Sequence, residues 1–224
     1  MRHAARRIRV LLVDDHAVVR AGYRTLLEDS PDVEVVGDAA DGETAYSQYL
    51  ALRPDVVVMD LSLPGAGGLE AIRRILARER DARVLVFSIH EDVAFVEQSL
   101  RAGARGYITK NSAPEILVEA VCRLAAGEVY LERQLAQNLA LRKSHGARGL
   151  LSCLTVREFE IFCLLAEGAG TAEAARRLVL SQKTIANYVT QIKHKLNVQT
   201  AGELVHLAIR HGVIKDPGTR RREP

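Results

Sequence analysis

At 224 residues, with 48% apolar and 26% charged side chains, the chain is long enough for two modest domains and too balanced for a fibre or a disordered polymer. No stretch reaches the roughly 18 uncharged apolar residues of a membrane helix, and the start Met1-Arg2-His3-Ala4-Ala5-Arg6-Arg7 leads into an apolar run too short for a signal sequence, so a cytoplasmic protein without a membrane partner is expected. The net charge of +3 hides an asymmetry: residues 1–130 hold 16 Lys+Arg against 20 Asp+Glu, residues 131–224 hold 15 against 8, and only the second half suits a polyanion.

The first predicted strand, Ile8 to Val13, runs into Asp14 and Asp15, and a helix follows from Val18 to Asp29. A strand at Val33 to Gly37 and a helix at Gly42 to Leu52 come next, then a strand from Asp55 to Met59 that closes on Asp60. A helix from Leu69 to Arg80, a strand from Arg83 to Ser88, a helix from Asp92 to Arg101, a strand from Gly106 to Thr109 followed by Lys110, and a helix from Pro114 to Ala126 complete the alternation. Such alternation predicts a five-stranded parallel sheet, doubly wound by helices, in which ligands bind at the strand ends.

Asp14, Asp15 and Asp60 then converge on one rim, where like charges repel unless a cation intervenes, and oxygen-only donors suit Mg²⁺. Lys110 brings an ammonium to the same rim, and carboxylates, metal and one lysine make a site for phosphoryl chemistry. The cysteines, Cys122, Cys153 and Cys163, are odd in number and lack CxxC spacing, so neither a disulfide framework nor a zinc site is indicated.

From Glu132 to Ser152 the chain turns polar and contains Arg142-Lys143-Ser144-His145-Gly146-Ala147-Arg148-Gly149, which reads as a linker. The expected division is an α/β unit at 1–130, a linker at 131–152, a helical unit at 153–214 and a flexible basic tail at 215–224. In the helical unit Thr155 and Glu158 form a capping box, a short helix runs from Thr171 to Leu178, Ser181 caps a helix from Gln182 to Leu196, and Thr200 caps a fourth that ends before Gly212. Two helices joined by a tight turn are the helix-turn-helix plan. Leu204, Leu207 and Ala208 form an apolar stripe with little core left to cover, which makes the fourth helix the candidate contact of a dimer; the competing reading is that the stripe closes the small domain's core.

The first unit resembles the receiver domain of two-component response regulators and the second the LuxR-type helix-turn-helix, so the whole is similar to a NarL/FixJ-type transcriptional regulator. The motifs are Asp14-Asp15, Asp60 with Leu63-Pro64 and Gly67-Gly68-Leu69-Glu70, Ser88, Gly103 to Lys110, Leu154 to Glu158, and Ser181-Gln182-Lys183-Thr184-Ile185. The resemblance implies that Asp60 accepts a phosphoryl group from a sensor histidine kinase. It implies Mg²⁺ on Asp15, Asp60 and the Ser62 carbonyl, with Asp14 holding a water ligand. Lys110 would contact the acyl phosphate, and Ser88 would bond a phosphoryl oxygen and draw Tyr107 inward. The implied partners are the kinase, promoter DNA bound as a homodimer and, as one the resemblance admits, RNA polymerase.

For DNA contact the expected residues are Lys183, Thr184, Asn187, Tyr188, Gln191, Lys193 and Lys195, although such lysines also decorate ordinary solvated helices. The chain departs from the family by carrying Ala186 and Thr190 at usually basic positions and Tyr188 at a frequent histidine, so attraction to phosphates would lean on Lys183, Lys193, Lys195 and Arg220-Arg221-Arg222. Asn187 and Gln191, a turn apart, have the amide geometry that reads adenine edges. Ser62 and His90, each two residues past a strand-end residue, are placed to set the lifetime of a phosphorylated state. Metal-dependent phosphohydrolases also use a strand-end Asp, but they want an acidic group where this chain has Ser62, so no enzyme of rapid turnover is expected. A receiver that works unphosphorylated is the remaining alternative.

Overall fold

The computed structural model of the chain describes residues 6–65, 67–144 and 150–214, the side chains at 143 and 144 excepted. The basic tail, with Arg220 to Arg222, and linker residues 145–149 lie outside them. Strands β1 (Ile8–Val13), β2 (Val33–Ala39), β3 (Val56–Met59), β4 (Val84–Ser88) and β5 (Gly106–Thr109) alternate with helices α1 (Ala17–Glu28), α2 (Gly42–Leu52), α3 (Gly67–Arg78), α4 (Val93–Ala102) and α5 (Pro114–Ala125). All pairings are parallel, in the order β2-β1-β3-β4-β5.

The expected strand count of five is one short. A sixth strand, β6 (Tyr130–Leu131), pairs in parallel with Gly106 and Tyr107 at the edge of β5. Two residues are too few to show a period of two, which is why the sequence pattern passes over it.

Alternate residues of each strand feed two different cores. Leu11, Val13, Val57, Met59, Val84 and Val86 face α2, α3 and α4, while Val10, Leu12, Val56, Val58, Leu85 and Phe87 face α1 and α5. Both faces are therefore covered, which explains why the central strands read as unbroken apolar runs rather than alternating ones.

The expected linker is largely built. After β6, helix α6 (Arg133–Ser144) buries Leu135 and Leu139, and a 3-10 turn (Leu150–Cys153) leads into the second unit. There α7 (Val156–Ala166), α8 (Thr171–Arg177), α9 (Gln182–Leu196) and α10 (Ala201–Arg210) follow the predicted caps: Thr155 and Glu158 form the capping box, and Ser181 and Thr200 cap α9 and α10. The stripe on α10 is not left over, because Leu204, Leu207 and Ala208 are buried and belong to the same apolar cluster as Phe159 and Phe162 of α7. Closure of the small core, rather than a dimer face, accounts for it.

The helical unit rests on α3 and α4. Gln98 of α4 donates its side-chain amide to Leu151 O at 3.2 Å and Leu154 O at 3.3 Å, and Arg101 donates to Ser152 O. Phe95 meets Phe159 edge to face across the same boundary. Among the described residues no helix is long and apolar enough to cross a membrane.

Candidate functional site

Three strand ends supply the first site. β1 delivers Asp14, β3 delivers Asp60 and β5 delivers Lys110, whose Nζ donates to Asp14 Oδ2 at 2.5 Å and to Asp60 Oδ2 at 2.7 Å. Both carboxylates are 2% exposed, so this ion triad is held out of water. Their other oxygens accept backbone N–H groups, Asp14 Oδ1 from His16 at 2.8 Å and Asp60 Oδ1 from Ser62 at 3.2 Å. Gly68 makes the close packing behind Asp60 possible, since a Cβ there would lie 2.1 Å from Asp60 O.

Burial raises the Asp60 carboxyl above the usual range, with Lys110 and the Ser62 N–H offsetting part of the effect. Burial alone would lower Lys110, but its bonds to Asp14 and Asp60 outweigh it and raise the ammonium, so Lys110 stays charged. Asp15 is the exposed member, and His16, the residue before α1, places Nδ1 2.7 Å from its Oδ1. Asp14, Asp15 and Asp60 carry three negative charges against one ammonium. Asp14, Asp15 and His16 cluster closely enough to hold an ion, and the carboxylates at this rim are the oxygen donors that a hard divalent cation takes.

Ser88 and Tyr107 meet at His90 rather than at the carboxylates. Ser88 Oγ accepts from His90 N at 3.3 Å, and the Tyr107 hydroxyl donates to His90 O at 2.7 Å. Tyr107 is fully buried, and burial pushes its hydroxyl up. His90 Nε2 lies 3.5 Å from Ser62 Oγ. Burial, aided by the Lys110 charge, pushes His90 down to about 4 and keeps the ring neutral. That ring stacks on Phe95 with centroids 3.8 Å apart. Sequence reading missed Phe95: an aromatic one turn into a helix looks like ordinary core.

The second site is the face of α9. Lys183, Asn187 and Gln191 are exposed, and Thr184 is half-buried with its N–H on Ser181 Oγ at 3.0 Å. Three expected contacts are engaged elsewhere. Lys193 donates to Gln199 O at 2.7 Å, Lys195 to the buried Glu158 at 2.6 Å, and Tyr188 lines a cleft with Glu70 and Arg73 of α3.

Residues 10–122 match the response regulator receiver domain family, and residues 152–208 match the luxR family of bacterial regulatory proteins. The transcriptional activator protein ExaE of Pseudomonas putida is 43% identical over 209 residues, covering 92% of this chain and 98% of its own length. Response regulator GacA of Pseudomonas aeruginosa is 38% identical over 209 residues, with the same 92% and 98% coverage. RcsB from Salmonella enterica serovar Typhimurium, solved bound to promoter rprA in the presence of phosphomimetic BeF3−, is similar at TM-score 0.69 and 27% identity over 90% of this chain and 98% of that one. Both halves and their order agree with these relatives, and the chain belongs to the NarL/FixJ-type response regulators, phosphorylation-controlled transcription regulators that join a receiver domain to a LuxR-type DNA-binding domain.

Proposed function

We propose that Asp60 is the phosphoryl acceptor and that the exposed face of α9 reads promoter DNA. The observation that carries the first half is the Lys110 ammonium bonded at once to Asp14 and Asp60 at the carboxyl end of a parallel sheet. A carboxylate attacks an anionic phosphoryl group only when nearby cations neutralise the charge that builds up. An Asp60 oxygen bonds to phosphorus as the bond from phosphorus to a phosphohistidine nitrogen of the kinase breaks, and the imidazole leaves carrying a proton from solvent. Lys110 then turns from the two carboxylates to the new phosphoryl oxygens. Asp14, Asp15, Asp60 and the Ser62 carbonyl would hold Mg²⁺, which supplies further charge neutralisation on the phosphoryl group. No acidic side chain stands at position 62 to activate water, which favours a long-lived acyl phosphate over turnover.

The signal leaves through His90. Ser88 and Tyr107 pin its N–H and carbonyl, so recruiting the Ser88 hydroxyl to a phosphoryl oxygen releases one of the two bonds. His90 rests on Phe95 and Phe95 on Phe159, so the loop's movement bears on the domain contact. On DNA, Lys183, Thr184, Asn187 and Gln191 face the groove, and two copies occupy half-sites about one helical turn apart. The test is Mg²⁺-dependent labelling by a radioactive small acyl phosphate: wild type takes up label and Asp60→Asn does not. Equal labelling of both would overturn the assignment of Asp60.

A further inference from the structure

Helix α3 begins just after the loop that carries Asp60, and a backbone N–H at the end of its first turn is met from the other domain. Glu70 N donates to Glu160 Oε1 of α7 at 3.1 Å, while Glu160 Oε2 accepts from Arg157 at 2.9 Å. Gly67 has φ +77°, and a Cβ there would stand 2.7 Å from Glu160 Oε1, so the carboxylate sits in space that only a glycine leaves open. Its side chain is 8% exposed. Glu160 is thus a largely buried carboxylate of one domain that bonds the backbone of the other.

We infer that Glu160 is a proton-responsive latch between the two domains: protonation of its carboxyl tightens the docking of α7 on α3, and ionisation loosens it. The charged and titratable groups around it are Arg157, Cys163 and Glu167 on its own helix, Glu70 and Arg73 on α3, Arg176 and Arg177 on α8, Tyr188 on α9, and Asp15 and His90 across the cleft. Arg73 is engaged by Glu70, and Arg177 by Glu173 and Glu167, so Arg157 is the cation that hydrogen-bonds the carboxylate. Burial pushes the Glu160 carboxyl up to about 7, and Arg157 offsets only part of that. Each carboxyl oxygen accepts one bond and keeps a second lone pair, so a proton adds without displacing either donor.

When the domains part, the same carboxyl meets water and returns to the ordinary glutamate range. The docked form therefore binds the proton more tightly. Docking is strongest below the ordinary glutamate range and weakens as pH climbs to about 7, where the docked carboxyl ionises. Between about pH 6 and about pH 8 the docking constant falls about tenfold by this linkage alone. The inference goes beyond phosphorylation and holds whether or not Asp60 is the acceptor.

Two measurements on the full unphosphorylated chain test it: a carbon-13 NMR titration of the Glu160 carboxyl, and the radius of gyration by X-ray scattering against pH for wild type and Glu160→Gln. The expected results are a midpoint near 7, a radius that grows between about pH 6 and about pH 8 in wild type, and a flat profile in Glu160→Gln. A midpoint in the ordinary glutamate range, a flat wild-type profile, or the same growth in Glu160→Gln would each overturn it. Acyl phosphate labelling of Asp60, measured separately, shows whether the phosphorylation reading stands independently of this one.

Discussion

The ring of Phe95, at the start of α4, meets the ring of Phe159 in α7 edge to face, with centroids 5.2 Å apart and planes at 81°. One ring belongs to the domain that carries Asp60 and the other to the domain that carries α9. His90 stacks on Phe95, so three stacked or abutting rings link the rim that carries Asp60 to the core of the helical domain.

Phe95→Ala removes both ring contacts at once. An aromatic pair contributes about 1 kcal/mol beyond its buried area, so the docked-to-open ratio should fall about fivefold or more. X-ray scattering should show a larger radius of gyration in the unphosphorylated variant than in wild type. An unchanged radius would mean that Gln98, Arg101 and Glu160 hold the domains without the rings.

Lys110→Ala leaves Asp14 and Asp60 as two buried carboxylates with no ammonium between them. Breaking a buried pair by removing one partner costs about 3 kcal/mol or more, and the melting temperature without divalent cations should drop accordingly. Adding Asp60→Asn removes one of the stranded charges and should recover a large part of the loss. The two substitutions are therefore expected to be far from additive in thermal melts.

Much of this was legible in the chain, and the reasons are local. Asp14, Asp60, Ser88 and Lys110 each end an apolar run, and parallel strands bring such ends to one rim by topology alone. The caps Thr155, Ser181 and Thr200 are likewise short-range signals. What escaped depends on how helix faces meet. Gln98, Phe95 and Glu160 look like surface or ordinary core until α7 is set against α3 and α4. Lys193 and Lys195 read as cations for phosphate because nothing in the spacing reveals Gln199 O or Glu158 as their partners. The α10 stripe was open to two readings because sequence does not show how much apolar surface α7 leaves to be covered.

Lys183 and Lys195 should separate in their effects. Lys183→Ala removes an exposed charge on the face of α9 proposed to meet DNA and should lower the slope of log affinity against log salt by about 0.9 with little change in stability. Lys195→Ala strips the buried Glu158 of its cation and should cost about 1 kcal/mol of domain stability, discounted for the partly exposed ammonium. Burial alone would raise the Glu158 carboxyl, but Lys195 and the Thr155 bonds outweigh it and hold it below the usual range. Its stabilisation is thus present above the ordinary glutamate range and lost as pH falls below that range, through the lowered range of the folded carboxyl. The stability gap between wild type and Glu158→Gln should narrow on acidification.

Val179, in the turn between α8 and α9, has φ +53° and is 80% exposed. A β-branched residue is strained there, while asparagine tolerates the left-handed region. Val179→Asn should stabilise the DNA-binding domain by about 1 kcal/mol without loss of packing, read as a rise in its thermal midpoint. No gain would imply that the turn relaxes in solution.

Control of DNA binding by phosphorylation of Asp60 is measured most directly by binding of the full chain across a genomic DNA library, with and without a small acyl phosphate and Mg²⁺, for wild type and Asp60→Asn. Phosphorylation should strengthen binding of wild type at a discrete set of sites and leave Asp60→Asn unchanged. Equal binding in all four conditions would contradict phosphorylation control, leaving α9 as a DNA reader without a switch.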